Sequence, residues 1–112
     1  MNWINLNDET QLNTINEQSK KQAVVIFKHS TTCSISNMSK SRLDRAVPVD
    51  NVLFYYLDLL NYRSLSNKIA EMYKVKHESP QILLIKNGVC IYNESHNGIS
   101  MHEIEDVVKS QI

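Results

Sequence analysis

The sequence has few cysteines, no excess charge of either sign and no long apolar run, and each of these deficits excludes a class of protein. Two cysteines among 112 residues are too few for the disulfide framework of a small secreted protein. Twelve basic and twelve acidic residues balance each other, so no net field attracts nucleic acid or an anionic membrane. The longest apolar stretches, AVVIF and ILLI, are far shorter than a membrane-spanning helix. We therefore expect neither a nucleic-acid partner nor a membrane partner.

Two further absences concern the start of the chain and its organisation. The opening MNWINLNDET lacks the charged and apolar regions of a secretory leader, which favours a cytoplasmic location. No repeat, linker or low-complexity tract interrupts the sequence. A chain of 112 residues is long enough for one hydrophobic core and too short for two. We expect a single domain over residues 1–112.

Apolar runs of strand length alternate with segments of helical periodicity. The runs AVVIF (23–27) and VLFYYLDLL (52–60) are continuous, which is typical of strands buried on both faces. A helix between them, beginning at Cys33 with Thr32 as its cap and ending before Pro48, predicts that the two strands are parallel. The apolar positions of this helix are Ile35, Met38, Leu43 and Val47.

The most specific local signal is Asn87-Gly88, which predicts a hairpin between strands at 81–86 and 89–93. Further helices are predicted at 8–20, around 65–73, and from about Ser100. The order is therefore a strand-helix-strand unit, a helix, a hairpin and a closing helix, with an additional helix at the N-terminus.

Cys33 lies at a predicted helix N-terminus, where unpaired N–H groups and the helix macrodipole favour the thiolate. Ser36 follows three residues later on the same face, where a dithiol enzyme would carry its second cysteine. Serine cannot form a disulfide, so a mixed disulfide on Cys33 requires an external thiol, while the Ser36 hydroxyl could donate a hydrogen bond to the thiolate. The alternatives are an ordinary buried cysteine and a serine that only caps the helix.

The element order resembles the thioredoxin-like fold, a central mixed four-stranded sheet flanked by helices, here with an additional N-terminal helix. The segments HSTTCSIS, HESPQILLIKNG and SHNGIS are similar to those of the thioredoxin-like monothiol bacilliredoxins, whose motif is typically T-C-P-I-S. The similarity extends from Trp3 to the last helix, and Ser34 stands where the family usually has proline. The resemblance implies that the peptide bond before Pro80 is cis and that this proline faces Cys33.

The resemblance also implies a function, namely a monothiol thiol–disulfide oxidoreductase that removes bacillithiol from S-bacillithiolated proteins through a mixed disulfide on Cys33. It implies no tightly bound cofactor, bacillithiol as co-substrate, and either bacillithiol or another redoxin or reductase as reductant. Ser36 is the second expected catalytic residue. The residues expected to contact substrate are Thr32, Ser34, Ser79 and Pro80.

Two other functions remain open at this point. One is a non-catalytic binding module, in which the loop at Pro80 holds a partner peptide by strand addition. The other is an iron–sulfur carrier similar to the monothiol glutaredoxins, although Ser34 and Ile35 interrupt the C-G-F-S pattern of those proteins.

The second cysteine and the histidines are not expected in the site. In the thioredoxin-like arrangement Cys90 lies on the order of 15 Å from Cys33, beyond the ~7 Å between Cα atoms that a disulfide permits. The spacing of the cysteines and the four histidines matches no zinc pattern, so no metal site is predicted. His29 is close enough in sequence to influence Cys33, but it is expected to be a surface residue without a special role. The four histidines are His29, His77, His96 and His102.

Overall fold

The computed structural model describes residues 1–111. The chain folds into a five-stranded mixed sheet with helices on both faces. The strands are β1 (Ile4–Asn5), β2 (Ala23–His29), β3 (Val52–Asp58), β4 (Gln81–Lys86) and β5 (Val89–Ser95). The helices are α1 (Gln11–Gln18), α2 (Ser34–Arg45), α3 (Arg63–Tyr73) and α4 (Met101–Ser110), with a short 3-10 turn at His96–Gly98. The strand order is β1-β3-β2-β4-β5. None of the helices in this range is long and apolar enough to cross a membrane.

Strand β2 occupies the centre of the sheet, parallel to β3 and antiparallel to β4. All seven of its residues are buried, as its continuous apolar run predicts. Val24 and Ile26 pack in the core that includes residues of α1 and α3, whereas Val25 and Phe27 pack in the core that includes residues of α2 and α4. The two faces of one strand therefore belong to two separate cores, and the parallel crossover through α2 is confirmed.

The prediction of a four-stranded sheet is wrong, because a fifth strand, β1, lies at the edge. Its two residues, Ile4 and Asn5, are exposed and pair in parallel with Tyr55 and Tyr56 of β3. A strand this short has neither alternation nor an apolar run for sequence patterning to detect. The predicted N-terminal helix is present as α1. Because it connects β1 to β2, it is an integral part of the alternating series rather than an addition to it.

Helix α2 contacts the sheet with a different face from the one that its apolar residues predict. Ile35 and Met38 are 42% and 63% exposed, whereas the buried residues of the helix are Ser36, Ser39 and Leu43. The buried serines are satisfied by polar partners, since Ser39 Oγ donates to the carbonyl of His96 at 3.3 Å and Ser36 Oγ bonds to groups at the end of β2. Tertiary hydrogen bonds thus override the apolar periodicity. Val47 lies beyond the end of the helix.

The hairpin at Asn87-Gly88 is confirmed. Both residues have positive φ, 54° and 74°, as a tight turn matched to strand twist requires. The turn also contacts the end of α1, because the Asn87 N–H donates to the Ser19 carbonyl and the Gly88 N–H donates to Ser19 Oγ, both at 2.8 Å.

Gly88→Ala should lower the free energy of unfolding by about 1 kcal/mol, because an L-residue is disfavoured at positive φ. A Cβ at this position would meet no atom within 4 Å, so the cost is conformational rather than steric. Urea denaturation measures it, with Asn87→Gly as the control that should retain wild-type stability. Equal stability of Gly88→Ala and the wild type would contradict the observed turn.

Candidate active site

Cys33 lies at the junction of β2 and α2, where it is the N-cap residue of the helix. Its backbone is extended (φ −101°, ψ 122°), its N–H donates to the Ser30 carbonyl at 3.2 Å, and its own carbonyl accepts from the Asn37 N–H at 2.9 Å. The thiol is free and half-buried. Its sulfur does not cap the helix, so the N–H groups of the first turn and the macrodipole act directly on any charge that the sulfur carries.

Thr32, predicted as the cap of α2, does not have that role. The helix begins one residue later than the prediction assumes, with Cys33 itself in the cap position. Thr32 is exposed, and its Oγ1 lies 3.5 Å from Ser30 Oγ. Ser34 is the first residue of the helix and is also exposed. Thr32 and Ser34 flank Cys33 in the sequence, and both side chains are exposed to solvent. Their contact with substrate stays a prediction.

The hydroxyl of Ser36 connects the first turn of α2 to the end of β2. Ser36 has no exposed surface, its Oγ accepts the Ser30 N–H at 3.0 Å, and the same oxygen lies 2.6 Å from Nδ1 of His29. In this structure the hydroxyl is therefore engaged with the strand. Hydrogen bonding from Ser36 to the Cys33 thiolate stays a prediction.

His29 is a buried residue, so its interpretation as a surface histidine is wrong. It is 2% exposed, with its ring stacked on Phe27 at 5.6 Å between centroids and tilted against Tyr56 at 5.7 Å. Burial lowers the pKa of His29, and Lys40 lowers it further, while Asp58 raises it. The imidazole is therefore predominantly neutral at neutral pH. Its position two residues after buried Phe27, on the same face of the strand, was the sequence signal for burial.

The segment at Ser79 and Pro80 forms the other candidate side of the site. The peptide bond between them is cis, as the resemblance implies. Since Lys28 pairs with Gln81 in the antiparallel register, Pro80 lies opposite the end of β2, the same end from which the chain continues to Cys33. Ser79 Oγ is buried and, within residues 1–111, has no hydrogen-bond partner.

Cys90 lies toward the other end of the sheet. It pairs with Ile85, which in turn pairs with Val24 near the start of β2, and β2 runs about 16 Å from there to His29 at ~3.3 Å per residue. The thiol is free, burial raises its pKa, and its Sγ donates to the Tyr92 carbonyl at 3.3 Å. Within residues 1–111 no three His, Cys, Asp or Glu side chains group to hold a metal ion.

Lys28 is a buried cation that sequence reasoning did not identify. Its side chain has no exposed surface, and its Nζ contacts the Ser66 carbonyl at 3.2 Å and Nδ1 of His77 at 3.3 Å. Burial lowers the pKa of Lys28 to about 8. Because His77 lies three residues before Pro80, Lys28 connects the central strand to the loop that leads into the cis peptide bond.

Comparison with known proteins relates this chain to thiol redox proteins. Residues 4–104 match the family described as monothiol bacilliredoxin BrxC. A solved thioredoxin-fold protein, provisionally described as an oxidoreductase, is 32% identical, with a TM-score of 0.81 over 92% of this chain and 90% of that one. Thioredoxin from Trypanosoma brucei brucei is 14% identical, with a TM-score of 0.76 over 96% of this chain and 92% of that one. Thioredoxin from Malassezia sympodialis is 15% identical, with a TM-score of 0.73 over 97% and 90%. The last two similarities establish the fold alone.

The buried amine of Lys28 predicts a pH-dependent stability. Its pKa in the folded protein, about 8, lies below its ordinary value of 10.5, so between these two values the unfolded chain binds more protons. Stability then rises with pH, and the burial cost is present in full below about pH 8. Lys28→Met removes this dependence. The unfolding free energy of the variant relative to the wild type should therefore fall by about 2 kcal/mol between about pH 7 and pH 10.

Denaturant unfolding of both proteins at several pH values measures the difference between their unfolding free energies. The contributions of the other titrating groups are the same in both proteins and cancel in this difference. The matched control is Lys76→Met, since Lys76 is an exposed lysine of the loop that contains His77, and its difference from the wild type should not vary with pH. A constant difference for Lys28→Met as well would show that Lys28 is not desolvated.

Proposed function

The chain belongs to the monothiol bacilliredoxin family, which it matches over residues 4–104, and on this premise we propose that it removes bacillithiol from S-bacillithiolated proteins. The observation that carries the proposal is the pair of side chains in the first turn of α2. Cys33 is a free, half-buried thiol at the N-cap, and Ser36 has a hydroxyl at the position where a second thiol would lie.

The proposed reaction is two successive thiol–disulfide exchanges. The Cys33 thiolate attacks the bacillithiol sulfur of the substrate disulfide, and the protein substrate leaves as its thiolate. A second bacillithiol, as thiolate, then attacks the bacillithiol sulfur of the mixed disulfide, which yields bacillithiol disulfide and regenerates the Cys33 thiolate. Each step forms one S–S bond and breaks one, so no additional oxidant is needed.

The need for an external thiol follows from the positions of the remaining side chains. Ser36 has no sulfur, and Cys90 lies about 16 Å along the sheet from the end of β2 that leads to Cys33. An intramolecular disulfide would require Cα atoms within ~7 Å. We propose bacillithiol, or another redoxin or reductase, as the reductant, and a cytoplasmic site of action.

Substrate contact is proposed around Cys33. Ile35 and Met38 lie in the first two turns of the helix that Cys33 caps, and both are exposed, which suits contact with a protein substrate rather than with a small thiol alone. The backbone at Ser79 and Pro80 would pair with an extended substrate segment. Contact of Ser79 with substrate is proposed through this backbone, because its Oγ has almost no exposed surface. Thr32 and Ser34 complete the proposed contact surface.

Incubation of the reduced protein with a bacillithiol-modified protein should place bacillithiol on Cys33 and on no other residue. Acid quenching preserves the adduct for intact-mass and peptide mass spectrometry. Added free bacillithiol should then remove the adduct and restore turnover. Cys33→Ser should reduce release of bacillithiol to the uncatalysed rate, because a serine hydroxyl is a very weak nucleophile at neutral pH.

The matched control is Cys90→Ser, which should accumulate the same adduct at the wild-type rate, because Cys90 lies outside the chemistry. A substrate that stays modified, together with an unlabelled Cys33 over a wide pH range, would contradict the enzymatic function. That result would favour a thioredoxin-like binding module.

A further inference from the structure

The proposed exchange leaves one buried titratable group near Cys33 without a role, the imidazole of His29. Its Nδ1 lies 2.6 Å from Ser36 Oγ. Stacking on Phe27 at 5.6 Å and contact with Tyr56 at 5.7 Å hold the ring. Because the ring is held in this way, Nδ1 faces Ser36 Oγ whether the proton of the imidazole is on Nδ1 or on Nε2.

The protons at the Ser36 oxygen allow two arrangements. A serine hydroxyl has one proton and two lone pairs, and the Ser30 N–H occupies one lone pair at 3.0 Å. If Nδ1 of His29 carries no proton, it accepts the Ser36 hydroxyl proton, and the serine has none left to donate. If Nδ1 carries a proton, it donates to the second lone pair, and the Ser36 proton is free for a third group.

We propose that this third group is the Cys33 thiolate, and that His29 is a positioning residue whose Nδ1–H directs the Ser36 hydroxyl proton toward it. Cys33 and Ser36 are the N-cap and third residues of α2, two positions that a capping box brings together through hydrogen bonds between each side chain and the other residue's backbone N–H. A direct hydrogen bond between the two side chains requires the Cys33 sulfur to turn toward the hydroxyl by rotation about χ1. The inference rests on the proposed function only in taking Cys33 as the reactive thiol.

Charged groups on two elements surround the imidazole and set how readily it holds a proton. Lys40 and Asp44 act on it from α2 and Asp58 acts on it from β3, while Tyr56 of β3, whose pKa is raised by burial, packs against the ring in its neutral form. Burial and Lys40 oppose a positive charge, whereas the two aspartates favour one. A thiolate at Cys33 adds a negative charge at the far end of the chain of hydrogen bonds. Ionisation of Cys33 and protonation of Nδ1 should therefore favour each other.

The test measures alkylation of Cys33 by iodoacetamide against pH in a Cys90→Ser background, so that only one thiol reacts. His29→Phe removes Nδ1 and keeps an aromatic ring between Phe27 and Tyr56. We expect it to slow alkylation at neutral pH by about ten- to a hundredfold, the effect of losing a hydrogen bond to a charged group, and to shift the midpoint of the profile upward. Ser36→Ala should have the same effect.

The double variant, His29→Phe with Ser36→Ala, separates this role from general support of the fold. Because His29 acts through Ser36, the double variant should react as slowly as Ser36→Ala and no more slowly. An equal slowing by His29→Phe with and without the Ser36 hydroxyl would overturn the proposal, and so would an unchanged profile in His29→Phe. Tyr56→Phe is the matched control, since it removes a neighbouring hydroxyl without altering Nδ1 and should leave the profile unchanged.

Imidazole nitrogen chemical shifts of the folded wild-type chain provide a test that does not require His29→Phe to fold. Converting Cys33 to a neutral thioether should lower the fraction of His29 with a proton on Nδ1, relative to the thiolate form. The same modification of Ser36→Ala should leave that fraction unchanged. A fraction that does not respond in the wild type would overturn the proposal.

The alkylation experiment contains no bacillithiol, so its outcome is distinct from that of the proposed function. If His29→Phe slows alkylation only when the Ser36 hydroxyl is present, but the protein fails to release bacillithiol, the proposed function is refuted and the role of His29 is intact. If the protein releases bacillithiol but the effect of His29→Phe does not depend on Ser36, the role of His29 alone is refuted.

Discussion

Burial of β2 on both faces and along both edges is the constraint on which the rest of the structure depends. β3 pairs with all seven of its residues and β4 pairs with residues 24–28, and two helices cover each face. A strand enclosed in this way has no exposed position, so even its last two residues, Lys28 and His29, are carried into the interior. The candidate active site begins where this strand ends.

Side-chain alternation then divides the two polar residues between the faces of the sheet. Lys28 points to the side of α3, where it contacts the Ser66 carbonyl and His77. His29 points to the side of α2, where it contacts Ser36. One end of a single strand thereby holds both the loop before Pro80 and the helix turn that follows Cys33, so the two sides of the candidate site share one support.

Replacement of a second thiol by a serine hydroxyl changes what the first turn of α2 can do. A hydroxyl at this position forms no covalent bond to sulfur, but it accepts from Ser30 and exchanges a hydrogen bond with His29. These hydrogen bonds attach the first turn of α2 to the end of β2, and Cys33 is a free thiol. Under the proposed function, chemistry that a dithiol protein completes within one chain therefore requires a second molecule.

Local and periodic features of the chain were readable from its sequence alone. The buried run of β2, the turn at Asn87-Gly88 and the closing helix were predicted because each depends on neighbouring residues: a continuous apolar run, two positions that tolerate positive φ, and a stripe of apolar side chains. The element order and the motif around Cys33 were also sufficient to identify the family. The two-residue strand β1 was not predicted, because an edge strand of that length is defined by the backbone groups of β3.

Tertiary structure decided which side chains are buried at the site. Periodicity placed Ile35 and Met38 on the inner face of α2, but the inner face holds Ser36 and Ser39. The Ser39 hydroxyl finds an acceptor at His96, far along the chain, and the Ser36 hydroxyl finds its partners at the end of β2. His29 follows Phe27 on the same face of β2, but that position alone does not decide burial at a strand end, which depends on α2 and β3 covering it. Hydrogen bonds and burial between segments remote in sequence have no local pattern, so only the folded chain determines them.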